Sequence, residues 1–384
     1  VPDNAPLIIL GTGLAGYNLA KEFRKLDGQR ELILITADDG RFYSKPLLSN
    51  GFAKGKQADE LAMQDAVTMA AQLDARIITH SQVTHINAQQ RTLQTSSGAY
   101  DYGDLVLACG AHPRLLPLAE EMHEHVLSIN NLADYARFRQ RLEGRERVAI
   151  IGAGLIGSEF ANDLALGGLE VQVIAPDAQL MAGLVPAQVA APVQRALEDL
   201  GVRFHLGRSV ASVRPSGSVL DLVLDDGSQV EVDQVLSAIG LLANTALASD
   251  AGVLCGRGVH VDRMLRTSDP HIYALGDCAD VMGLQLMYVM PLMTSARALA
   301  RTLTGQPTEV TYPAMPVMVK TPVCPLVVSP PVSTTSGLWT VSGEGQNIRA
   351  VFHDAEGTLH GYALSGTAVS EKLQLNRQLP AWLA

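Results

Sequence analysis

Two glycine clusters, Gly11-Thr-Gly13-Leu-Ala-Gly16 and Gly152-Ala-Gly154-Leu-Ile-Gly157, each follow a short apolar run and each open a helical pattern. In such a turn the first glycine permits a sharp strand-to-helix reversal, the second lets the backbone approach a pyrophosphate, and the third lets the helix pack on the strand. The new helix offers unpaired N–H groups and the positive end of its dipole to the phosphates. One GxGxxG recurs by chance. Two in a strand-turn-helix context, followed later by Gly276-Asp277, predict two bound dinucleotides. Thr12, Leu14, Ala15 and Ile156 lie inside these turns and join the six glycines as nucleotide-binding candidates.

Other side chains that could do chemistry are sparse. The four cysteines, Cys109, Cys255, Cys278 and Cys324, have no CxxC or CxxxxC spacing, which disfavours a metal knuckle or a paired redox disulfide. His80, His85, His112 and His205 show no ligand spacing, and no metal is expected. A net charge of −10 lacks the basic footprint that nucleic acid or an anionic membrane requires. Arg41, Lys45, Lys54 and Lys56 could still form a local positive face for an acidic protein partner, or be ordinary solvated cations.

The elements that must position these residues read as α/β. With 384 residues the chain exceeds what one core usually supports, and two or three domains are expected. Strand 7–10, helix 15–26 and strand 32–36 make a first βαβ unit. Extended segments follow at 76–79 and 91–95, and the apolar run 104–109 reads as a buried parallel strand. A second unit starts with strand 147–151, helix 156–166 and strand 170–174, extended by helix 186–200 and strand 202–206. Two extended stretches, 219–224 and 229–232, flank the turn signal Asp225-Asp-Gly227, before a buried strand ending Ala238-Ile-Gly240. A short strand leads into Gly276-Asp277, and a helix runs over 291–303 with Pro291 near its start. From Tyr312 the chain is rich in Pro and Val and reads as a small third domain with a short helical end near 371–375. No run reaches the length of a membrane span. The apolar stretch 7–10 is short and follows Asp3 instead of a basic region, so neither a signal peptide nor an anchor is read, and the cytoplasm is the default.

The order of these motifs, GTGLAG, Ala108-Cys-Gly-Ala111, GAGLIGSE, Ala-Ile-Gly, then Tyr273-Ala-Leu-Gly-Asp277, resembles the flavoprotein reductases with two dinucleotide-binding domains. Tyr43-Ser-Lys-Pro46-Leu-Leu-Ser49 and Met315-Pro-Val-Met-Val-Lys320-Thr-Pro-Val-Cys-Pro resemble the rubredoxin–NAD reductase branch. The resemblance implies two Rossmann-like domains, an FAD domain split over 1–111 and 243–312 and an NAD domain inserted at 112–242, plus a small α+β domain at 313–384. It implies FAD on the first fingerprint and NAD on the second. Hydride would pass from NADH to flavin N5, and single electrons would go on to rubredoxin. Disulfide-reductase flavoenzymes relay electrons through a vicinal cysteine pair; lacking one, this chain would pass electrons directly from the flavin.

Residue roles follow from the same resemblance. Thr36, Ala37 and Asp38 stand where an acid normally binds the FAD ribose, with Asp38 one step late. At the matching end of the NAD strand, Ala175-Pro176-Asp177 offers no cation to a 2′-phosphate, which favours NADH over NADPH. Asp277 would bond the flavin ribityl chain, or else cap the following turn. Val289, just before the Pro291 helix, would face the flavin pyrimidine edge, where a helix N-terminus stabilises negative charge. Lys45 would reach the flavin and raise its potential, or else snorkel at the surface. Lys320 lies where related reductases carry aromatic residues near the ring. Val83 would meet the adenine, and Arg114 the phosphates, unless it is an exposed turn arginine. Gly240 closes the Ala-Ile-Gly turn. Glu159 would face the gap between flavin and nicotinamide, or simply be an acid favoured at a helix start. Lys45, Glu159 and Lys320 are thus the catalytic candidates. Ferredoxin or flavorubredoxin as acceptor, or a redox-responsive binding protein without turnover, are the alternatives.

Overall fold

The computed structural model describes residues 5–332 and 334–384, so Asp3 lies outside the described residues. Strand Leu7–Leu10 sits at the centre of a five-stranded parallel sheet, with Leu32–Ile35 and then Arg76–Ile78 on one side and Asp104–Leu107 on the other. The fifth strand, Ile272–Ala274, comes from far along the chain and pairs in parallel with Asp104–Leu107. Leu7–Leu10, Leu32–Ile35 and 105–107 are continuous runs of Leu, Ile and Val and are buried, sharing one core with two helices and with the antiparallel strands Val83–Asn87 and Thr92–Thr95. Helix Leu14–Arg24 packs against helix Val289–Leu303, and both bury their apolar stripes on this sheet.

A second parallel sheet runs in the order Val126–Leu127, Gln234–Ser237, Arg147–Ile151, Glu170–Ala175, Arg203–Leu206. The chain enters this unit through Ala111–Pro113 and leaves it through Leu241–Ala243, and these two crossings pair antiparallel as a narrow ribbon. The ribbon is tied at its base by Asn244, whose amide donates to the Cys109 carbonyl at 2.7 Å. One face of the second sheet carries the antiparallel meander Val210–Ser216, Val219–Leu224, Gln229–Val232.

The last unit is a five-stranded antiparallel sheet ordered Val317–Val319, Leu326–Ser329, Leu359–Ser365, Asn347–His353, Leu338–Glu344. Its inner face is not a separate core. Leu326, Val328, Ala350 and Ala363 join Val189, Val193 and Leu197 of helix Ala187–Asp199 in one apolar cluster. The strands Val83–Asn87 and Val210–Ser216 and the helices Ala66–Leu73 and Leu132–Arg141 are further elements that the sequence pattern does not mark. The strands mix polar residues into short runs, and both helices are exposed along much of their length, so their periodicity is weak.

Candidate functional site

The two fingerprints fold identically. Gly11 and Gly152 adopt φ of +110° and +111°, which a side chain would strain. A Cβ on Gly16 would lie 1.9 Å from the Gly11 carbonyl oxygen, and one on Gly157 would lie 2.0 Å from that of Gly152. Each helix therefore seats against its own turn. By contrast, a Cβ on Gly13 or Gly154 would meet no protein atom within 4 Å. Those glycines face open space, as a backbone approached by a phosphate must. Both helices start without a side-chain cap, whereas Ala66–Leu73 and Leu132–Arg141 are capped by Asp65 and Asn131. The bare N–H groups fit two pyrophosphates.

Beside the first turn, the Asp38 carboxylate accepts from the hydroxyls of Thr36 at 2.7 Å and Thr12 at 3.3 Å and from the Gly40 N–H at 2.9 Å. Ala37 and Asp38 are exposed at the strand end, as a ribose-binding position requires. Leu14 and Ala15 begin the helix; Ala15 sits under Gly276, where a Cβ would come within 2.8 Å. Val83 starts its strand within the core of this unit. Arg114 is exposed, and its backbone N–H donates to the Gly240 carbonyl at 3.0 Å, so the ribbon brings these two candidates together. Ile156 is exposed in the first turn of the second fingerprint helix.

Asp277 does not cap the turn that holds it. The cap position of Gly276–Cys278 is Leu275, and the Asp277 carboxylate lies 3.6 Å from the Lys45 ammonium. At Val289 only the helix boundary differs from the expected one. This residue is the first of helix Val289–Leu303, which starts two residues earlier than the proline suggested, after an uncapped Tyr288. Pro291 fits within the first turn because the N–H it lacks has no intrahelical partner there.

Lys45 opens a one-turn helix, Lys45–Ser49, and the residue at its far end was not singled out from the sequence. Ser49 Oγ donates to Glu159 Oε2 at 2.6 Å and accepts from Lys320 Nζ at 2.9 Å. Lys320 also pairs directly with Glu159, while its backbone N–H donates to Glu159 Oε1 at 3.0 Å. Glu159 is 1% exposed. Three segments separated by more than a hundred residues thus meet on one buried carboxylate. One turn along the same helix, Asp163 accepts the backbone N–H groups of Phe52 at 2.8 Å and Ala53 at 3.2 Å. Burial nevertheless holds the Asp163 carboxyl above its usual range. Arg139 stacks over Phe52 at 4.5 Å and completes this clamp.

Of the four cations foreseen at 41–56, Lys54 is exposed with no ion pair among the described residues, while the other three are paired, so the group is not a bare positive face. Arg41 pairs with Asp39 at 2.7 Å and Asp59 at 2.6 Å, Lys56 with Glu60 at 3.3 Å, and Lys45 with Asp277. Desolvation pushes all four thiols up, Cys278 to about 11, so none is an activated thiolate at neutral pH. Among the described residues no cluster of three His, Cys, Asp or Glu could hold a metal, and no helix is long and apolar enough to cross a membrane.

Two parallel nucleotide folds joined by a ribbon, with a carboxylate pinned at their junction, define an oxidoreductase of the two-dinucleotide class. Residues 5–300 match the pyridine nucleotide-disulphide oxidoreductase family, and the chain belongs to it. Residues 309–379 match a domain described as the rubredoxin binding C-terminal domain. The chain is similar to a rubredoxin-NAD(+) reductase of Alcanivorax borkumensis, 49% identical over 98% of this chain and 99% of the relative. It is also similar to a nitric oxide reductase FlRd-NAD(+) reductase of Vibrio vulnificus, 39% identical over 97% of this chain and 98% of that one. Among solved structures, a ferredoxin reductase from Rhodopseudomonas palustris superposes with a TM-score of 0.88 at 26% identity, covering 98% and 96% of the two chains.

Proposed function

We propose that the chain is a cytoplasmic, FAD-dependent NADH:rubredoxin oxidoreductase. The observation that carries this reading is the delivery of Lys320, from the segment bordering the third sheet, onto Glu159 of the second fingerprint helix. The unit that matches a rubredoxin-binding domain is thereby joined to the helix that, in this reading, holds NADH. We divide the chain into an FAD domain (1–111 and 243–312), an NAD domain (112–242) and an acceptor domain (313–384).

Bound FAD supplies a two-electron acceptor for the hydride of NADH and releases electrons singly to a one-electron protein. The chain's own residues do the rest. Gly11, Gly13 and Gly16, with Thr12, Leu14 and Ala15, cradle the FAD pyrophosphate; Thr36, Ala37 and Asp38 read its ribose. Val83, Arg114 and Gly240 line its approach. Asp277 and Lys45 hold the ribityl side, and the uncapped N–H at Val289 favours negative charge nearby. Gly152, Gly154, Ile156 and Gly157 hold NADH. Glu159 and Lys320 orient the two rings, and proximity is the main contribution to the rate.

A second acceptor, flavorubredoxin, is favoured by the 39% identity with the Vibrio vulnificus reductase. Anaerobic NADH turnover with rubredoxin, flavorubredoxin and ferredoxin, each at equal concentration, tests the proposal. Rubredoxin is expected to give the highest kcat/KM; a clear preference for either other protein contradicts it.

A further inference from the structure

The second sheet places a cation where the sequence showed none. Resting on the reading that the second fingerprint binds a pyridine nucleotide, the adenosine ribose is read at the end of strand Glu170–Ala175, about 20 positions after Gly157, at Asp177. The neighbouring strand Arg203–Leu206 ends beside it. The Gly207 N–H donates to the Asp177 carbonyl at 2.9 Å, and the Arg208 N–H to that of Ala175, also at 2.9 Å. Arg208, 30 or more residues away in sequence, therefore flanks the ribose-reading position.

Its guanidinium is already engaged. Nε donates to Asp226 Oδ2 at 2.6 Å and Nη1 to the Gly207 carbonyl at 2.9 Å. Asp226 is in turn fixed by the Ser228 N–H at 3.0 Å and the Ser228 hydroxyl at 2.6 Å. The adjacent Asp225 accepts the Ser209 N–H at 3.1 Å. The hairpin turn of the antiparallel meander thus projects two carboxylates onto this corner. We propose that the Arg208–Asp226 pair is what makes the chain select NADH over NADPH. It occupies a guanidinium that could bind a 2′-phosphate bidentately, and Asp177 and Asp225 leave the corner with an excess of negative charge. Bonds from Ser228 and Arg208 hold the Asp226 carboxyl down at about 2, so the pair is charged throughout the physiological range. At 46% and 37% side-chain exposure the pair adds little to stability, so it can be altered without unfolding the domain.

The test uses the flavin-loaded enzyme and two readouts. Asp226→Asn keeps an oxygen for the Ser228 N–H but removes the charge. It is expected to raise kcat/KM for NADPH relative to NADH about fivefold or more, with ferricyanide as acceptor, and the gain should shrink at high salt. Calorimetry with 2′,5′-ADP against 5′-ADP should show the same gain in binding. Adding Arg208→Ala should abolish both gains, since the guanidinium itself does the binding. An unchanged ratio in a flavin-replete D226N protein, or a gain that survives Arg208→Ala, overturns the proposal. Binding of the two ADP probes is independent of hydride transfer. A wild-type protein that oxidises neither nucleotide would strike the reductase reading, while the calorimetric ratio would still decide for or against the pair.

Discussion

Glu159 is the residue on which most of the site converges, and its partners differ in what their loss would do. Removing Lys320 leaves a carboxylate that is 1% exposed without its cation, a loss that typically costs about 3–5 kcal/mol. Glu159→Gln removes the charge, keeps one amide oxygen for the Lys320 backbone N–H and turns an NH2 towards Ser49 Oγ, which can accept it. We therefore expect Lys320→Met to lower the urea midpoint clearly more than Glu159→Gln, and both to slow NADH-dependent flavin bleaching. Equal midpoints would mean that the pair carries no burden at this junction. The thiols make a second residue-scale case. With all four pushed up by desolvation and Cys278 wholly buried, iodoacetamide at pH 7 should leave turnover intact. Rapid loss of turnover on alkylation would point to a thiol relay. Asp277 and Lys45 were both legible as candidates, but not as partners. They come from distant segments, and nothing in either segment encodes the 3.6 Å meeting.

At the scale of elements, the proposed division of FAD and NADH between the two fingerprints makes separable predictions. Because Gly13 and Gly154 face open space, alanine at either position should fold. Gly13→Ala should yield protein depleted of flavin, read as a low ratio of 450 to 280 nm absorbance. Gly154→Ala should retain flavin and raise the KM for NADH. Gly16→Ala and Gly157→Ala should instead destabilise their units, since each Cβ would press on a carbonyl at about 2 Å. The second fingerprint helix also carries a pH signature. Asp163 has a carboxyl raised by burial, so between its usual value and the raised one the folded state holds a proton that the unfolded chain has lost. Stability from this group falls as pH rises through that window and levels off above it. Asp163→Asn should flatten that slope in urea midpoints taken between about pH 4 and pH 7. The βαβ units, the strand before Gly276 and the strand-rich tail were readable because buried parallel strands are nearly pure Leu, Ile and Val and glycine turns bound them. Helix Val289–Leu303 starts two residues before Pro291, because a proline fits anywhere in the first turn and so does not mark the start.

For the whole molecule, the return of Ile272–Ala274 to the first sheet and the shared core between the last sheet and helix Ala187–Asp199 were beyond local patterns. Strand order depends on which edge a distant segment finds. The shared core predicts that removing 313–384 exposes Val189, Val193 and Leu197, and that the shortened chain melts at a lower temperature than the full one. A melting temperature unchanged by the truncation would deny that the third unit supports the second. Lys320 links this last unit to Glu159 of the second fingerprint helix and to Ser49 of the first unit, and in the proposed function that link lies along the route of electrons to the acceptor. The direct test is anaerobic stopped-flow mixing of the flavin-loaded protein, first with NADH and then with oxidised rubredoxin. NADH is expected to bleach the flavin absorbance, and two equivalents of oxidised rubredoxin to restore it as their iron is reduced. A flavin that NADH leaves oxidised, or a reduced flavin that rubredoxin leaves bleached, would contradict it.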